Sequence, residues 1–129
     1  MATIEALVDD FLMNERPLSI VLDPATVLAK AVAATKFYAG YANLEVNDGI
    51  DPPLPAVAEN TDISDSEWAL IKPLFMLYVD HESAMHQEAT RFMGADSLFG
   101  RSSSEIQQDI TQYQMELPQK AFLQTIITV

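Results

Sequence analysis

The chain contains no cysteine, which removes disulfides, thiolate metal sites and cysteine nucleophiles and leaves the redox compartment unspecified. Four glycines in 129 residues supply no phosphate-binding glycine loop and little room for a dinucleotide fingerprint. Basic residues are scarce as well. Seven Lys and Arg stand against nineteen Asp and Glu, for a net charge of −12 at pH 7, so nucleic acid phosphates meet repulsion instead of the counterion release that drives binding. No run approaches the roughly 18 uncharged apolar residues that span a bilayer. The start, Met1 to Glu15, is acidic where a secretion signal needs a basic region. These absences predict a protein of the cytoplasm, or of a particle assembled there, with no membrane contact.

What is present has the balance of a folded domain. Hydrophobic residues make up 49% and charged ones 20%, ordinary globular values and too apolar for a disordered chain. A length of 129 residues corresponds to about one domain. The acidic surface fits solubility, a basic partner, or a passage through which DNA slides without sticking.

The pattern along the chain predicts a mainly α protein: a small antiparallel helical bundle with a long Pro-rich loop and an extended C-terminal tail. Ile4, Leu7, Val8, Phe11 and Leu12 recur at helical spacing with Glu5, Asp9 and Asp10 opposite, predicting a short amphipathic helix that ends before Pro17. Leu18 to Leu22 reads as an extended connector. Asp23-Pro24 is a start signal, an acceptor at the cap followed by a proline whose missing N–H is harmless in the first turn. The helix it opens should run to about Tyr41, with Ala29, Ala31, Ala33 and Ala34 permitting close approach of a neighbour. From Asn43 to Asp62, Asp48-Gly49, Pro52-Pro53 and Pro55 disfavour regular structure and predict the long loop; loops of such length are often functional or partner-bound.

Ser64 and Glu67 form a capping-box pattern. After it, Trp68, Ile71, Phe75, Tyr78, Met85, Ala89 and Phe92 fall on alternating three and four spacings, the seam of a helix packed along its length. That helix should reach Met93, with Pro73 kinking or restarting it. Glu82 falls on the same seam, as a partly exposed position, as one paired with a cation, or as a subunit contact with a basic partner. Gly94 and Gly100 bracket a turn. Ser102 and Glu105 repeat the capping box and begin a last helix through Ile106, Ile110, Tyr113 and Leu117, closed by Pro118. The domain of residues 1–120, containing the loop 43–62, is then followed by a tail, residues 121–129.

No constellation of catalytic residues emerges. His81 and His86 are five apart, about 140° around a helix, so they cannot chelate one ion on a regular helix, and Glu82 with His86 makes two ligands without a third. Acidic pairs such as Asp9 and Asp10 are better read as a solvated face than as an acid and base held across a cleft. Ser102, Ser103 and Ser104 lack a nucleophile-elbow pattern, and capping accounts for them. Lys30, Lys36 and Arg91 are scattered. The expectation is a protein that is no enzyme and takes no cofactor or metal.

The tail is the feature that most requires a partner. Ala121, Phe122, Leu123, Gln124, Thr125, Ile126, Ile127, Thr128 and Val129 carry no charged side chain and have strong β propensity. Such a segment either folds back onto its own subunit or adds a strand to, or inserts into, a neighbour. The candidate partner-binding residues are Ala121, Phe122, Leu123, Ile126, Ile127 and Val129.

A small acidic chain with helices near 24–41, 67–93 and 103–117 and an apolar C-terminus resembles the head-to-tail connector (adaptor, head-completion) proteins of tailed bacteriophages. The likeness lies in the second half, from Asp62-Ile63-Ser64-Asp65-Ser66-Glu67-Trp68 through Ser104-Glu105-Ile106-Gln107-Gln108-Asp109-Ile110 to Leu117-Pro118-Gln119-Lys120-Ala121-Phe122. It implies a homo-oligomeric ring in the virion, commonly of twelve copies, seated beneath the portal protein. C-terminal tails would dock on the portal, loops would meet the next tail or connector protein, and DNA would pass nearby without specific binding. Two other classes stay open: a small acidic binding module that mimics nucleic acid or inhibits a basic protein, and an enzyme with an unrecognised carboxylate site.

Overall fold

Ala2–Thr3 (β1) pairs antiparallel with Asp62–Ile63 (β2), Ala2 opposite Ile63 and Thr3 opposite Asp62. The computed structural model describes residues 1–15, 22–92 and 102–127. Within these, helix α1 spans Ile4–Asp10 and continues into a π-helical turn at Phe11–Glu15. Thr3 caps α1 by accepting the Ala6 amide at 3.1 Å. The amides of Ile4 and Glu5, which have no partner inside the helix, donate to the Thr61 and Glu59 carbonyls at 3.1 and 3.0 Å. The start of the chain is therefore held by the far end of the loop, a tie that strands of two residues are too short to announce by alternation. The predicted amphipathic helix is present, with Ile4, Val8 and Phe11 buried.

Helix α2 spans Pro24–Ala39, with Asp23 at its N-cap and Gly40 at its C-cap. The connector expected at 18–22 falls mostly on residues 16–21, outside the described residues. Of the alanines, Ala31 and Ala34 are buried with Val27 and Tyr38, whereas Ala29 and Ala33 face outward. Thr35 is buried beside them and satisfied, its hydroxyl donating to the Ala31 carbonyl at 2.9 Å. Beyond α2, residues 43–61 carry a single 3-10 turn, Glu45–Asn47, before β2 begins.

Helix α3 spans Asp65–Phe92 and passes through Pro73 without a break. The carbonyl that loses its donor belongs to Ala69, and both Ala69 and Pro73 are exposed, so water can stand in for the missing bond. The buried line of α3 differs from the strict heptad seam. Ile71 and Phe75 are buried as expected, but Leu74, Val79, Ser83 and Ala84 join them, while Met85 and Ala89 are exposed. A straight α-helix drifts about 20° per heptad against a 3.5-residue repeat, so over two heptads the inward face moves off the seam.

Helix α4 spans Ser103–Ile127. Ile106, Ile110, Tyr113 and Leu117 are all buried, as their spacing predicts. Ser103 meets Glu88, Gln114 meets Tyr78, and the Tyr113 hydroxyl reaches the Leu70 carbonyl, so α4 runs back along α3. The extended tail expected from residue 121 is corrected: the backbone is helical through Pro118 to Ile127, and residues 128–129 lie outside the described residues. Leu117, wholly buried, anchors the turn before the proline, and the Lys120 ammonium sits 4.6 Å from the Tyr113 ring centroid, bridging it. Propagating an existing helix costs little compared with nucleating one, and β propensity yields to such context.

The core joins all these elements. Phe11 meets Phe75 edge-on, with ring centroids 5.0 Å apart, Trp68 covers Phe75 at 5.6 Å, and Lys72 pairs with Glu15 on the outside.

Candidate functional site

Glu82 lies at the edge of the α3 seam and is held from two sides. Its Oε1 is 3.1 Å from His86 Nε2, one turn on, and its Oε2 is 3.4 Å from Lys30 Nζ of α2. Partial burial works to raise the carboxyl pKa, but the His86 hydrogen bond and the Lys30 charge together outweigh it and hold Glu82 below the usual carboxylate range. Of the roles open to Glu82, pairing with a cation is met within the chain. Lys30, one of the scattered basic residues, carries no sequence signal for this: only the packing of α2 on α3 brings it there. Among the described residues no group of three or more His, Asp or Glu is placed to hold a metal ion.

A second carboxylate, Glu67, is 3% exposed. Its Oε1 accepts the Ser64 amide at 3.0 Å while the Ser64 hydroxyl accepts the Glu67 amide at 3.3 Å, the reciprocal capping box that the sequence predicts. Its Oε2 accepts the Glu45 amide at 3.0 Å, across 22 residues of chain. One side chain thus caps α3 and fixes the first turn of the loop. Tyr38 lies within the field of this acid. Burial, then the charges of Glu67 and Glu45, push its phenol up to about 12.

Glu88 plays a similar part at the other end. Its carboxylate accepts the Ser103 amide at 2.8 Å and the Ser103 hydroxyl at 2.7 Å, placing negative charge at the positive end of α4. The backbone and hydroxyl bonds from Ser103 hold its pKa down. The Ser102 hydroxyl adds a cap by accepting the Glu105 amide at 3.3 Å. All three serines therefore serve the helix start or its surface.

The residues expected to contact a partner, Ala121, Phe122, Leu123, Ile126 and Ile127, stand on the last turns of α4. Their side chains, and Val129 altogether, lie outside the described residues. At about 100° per residue the helical positions 122, 123, 126 and 127 fall within roughly 140° of one another, and 121, 124 and 125 fall outside that arc.

An open groove of about 460 Å³ runs along α2, lined by Ala25, Leu28, Ala29, Val32 and Ala33. Lys36 and Glu59 also line it and give it one charge of each sign. Sequence periodicity did not single it out, because alternating small residues read equally as core. No helix among the described residues is long and apolar enough to cross a membrane. No family model matches the chain, and no curated protein or solved structure matches it.

Proposed function

We propose that the chain is a structural subunit of a tailed-phage virion, assembling in the host cytoplasm into a homo-oligomeric ring, of twelve copies by the resemblance, that joins the portal protein to the next tail or connector component. The observation that carries this reading is the charge-free apolar stretch 121–129 in a chain of net charge −12, of which residues 121–127 are the last of α4. Such a stretch gains more from burial against another molecule than from solvent. Because the last turns are helical, the mode of docking is an apolar helix face laid in a groove, in place of an added strand.

In this reading the helices form a small antiparallel bundle. The Pro-rich loop 43–62 faces the neighbouring component, with Ile50 and Leu54 exposed on it. The acidic surface lets DNA pass without adhering. The subunit performs no catalysis and needs no cofactor, and Glu82 serves within the chain.

The test is removal of residues 121–129, with mass measured alone and with candidate portal proteins. Loss of assembly, with the helices up to Lys120 retained, is the expected result. The runner-up, a small acidic decoy for a basic protein, is favoured by the charge alone; it predicts that the shortened chain still binds its basic partner as a monomer.

A further inference from the structure

The groove on α2 and the end of α4 are complementary in the property that matters most for a chain of this charge. Two copies each carrying −12 repel one another wherever their acidic surfaces meet, so self-contact is favoured only through surfaces without excess negative charge. The α2 groove has a balanced lining, five apolar residues with Lys36 and Glu59, and residues 121–129 have no charge at all. The groove is long enough to hold the segment. From Ala25 to Lys36 the groove follows α2 for roughly 16 Å at 1.5 Å per residue, and the helical residues 121–127 span about 10 Å.

We infer that the α2 groove receives the last turns of α4 from a second copy of the chain. The inference rests on the ring reading above and names its subunit contact. Donor and acceptor are different surfaces of one molecule, so the contact is head-to-tail and propagates from copy to copy until a ring closes. Leu28 and Val32, half-buried in the free chain, gain cover, and exposed Ala25, Ala29 and Ala33 let the incoming helix approach closely.

The test uses two single-sided variants of the full protein. Ala33→Glu puts a carboxylate in the acceptor groove, and a chain ending at Lys120 lacks the donor. Each is expected to weaken self-association at least about tenfold, because a charge or an empty groove replaces apolar contact. Mixed one to one, they are expected to form a heterodimer that grows no further, since one intact donor and one intact acceptor remain. Ala29→Glu serves as a second acceptor variant should Ala33→Glu lose helix content. A cysteine pair, Ala33→Cys with Ile126→Cys, has no background thiol to confuse it: oxidation should link different chains, whereas links confined to single chains would place the end of α4 in its own groove and overturn the inference. Assembly sensitive to the deletion but indifferent to Ala33→Glu and Ala29→Glu overturns the groove contact and leaves the ring reading standing. Assembly indifferent to the deletion overturns both.

Discussion

The Glu67 carboxylate and the Glu45 amide meet at 3.0 Å, and through that bond the N-terminus of α3 holds the loop that follows α2. A buried acid accepting two amides is satisfied only while both partners stay. Glu67→Ala strands the Ser64 and Glu45 amides and should cost about 2 to 4 kcal/mol. Glu67→Gln keeps one acceptor oxygen and should cost less. Urea denaturation gives the loss, and hydrogen exchange at Glu45 should accelerate in Glu67→Ala; an unchanged exchange rate in that variant would mean that the bond does not hold the loop.

Tyr38 gives a prediction at alkaline pH. Its phenol is raised from 10.0 to about 12 by burial and by the neighbouring acids Glu67 and Glu45, so between these values the folded state holds a proton that the unfolded state has released. The stabilisation is fully present below pH 10 and is lost as pH rises through 12, amounting to about 3 kcal/mol for a shift of that size. Tyrosinate absorbance should follow unfolding in this window, and Tyr38→Phe should make the stability profile flatter there. Ordinary titration of all four tyrosines in the folded protein would contradict it.

On the acid side Glu82 and Glu88 act with the opposite sign. Both carboxyls are depressed in the folded state, so their contributions are present above the ordinary carboxylate range and disappear as pH falls through the folded values. Each is at least partly open to water, and the Lys30 pair should be worth no more than about 1 kcal/mol. Glu88→Gln should reduce the pH dependence of unfolding below about pH 5, and an identical slope in variant and wild type would remove the capping account of Glu88.

The Tyr113 hydroxyl donates to the Leu70 carbonyl, in the turn of α3 that precedes Pro73. Tyr113→Phe keeps the ring under Lys120 and deletes that donor, at a cost of about 1 kcal/mol. Leu117→Ala opens a cavity just before Pro118 and should cost about 2 to 5 kcal/mol. Equal effects from the two would mean that Leu117 is not what anchors α4 through its proline.

How far the sequence carried this picture is clearest at individual residues. The Ser64 and Glu67 box, the Asp23-Pro24 start and the buried set Ile106, Ile110, Tyr113 and Leu117 were legible because each depends on residues adjacent in the chain or three or four apart. The β1 and β2 pair, the Glu67 bond to Glu45, and the Lys30 and Glu88 partnerships depend on residues brought together by folding, and local pattern contains no trace of them. At 121–127, β propensity pointed to an extended strand because the reading stopped the helix at Pro118, whereas a helix already anchored by Leu117 continues through it. The groove on α2 stayed hidden for another reason: Ala29 and Ala31 look alike in sequence, and only the packing of α2 decides which is covered.

The most direct test is solution mass over a concentration series for the complete chain beside the chain ending at Lys120. If the end of α4 joins this subunit to others, the complete chain forms a discrete oligomer that the shortened chain, still folded and short only of the helical residues 121–127, does not. Two folded chains with the same assembly state at every concentration would contradict that claim.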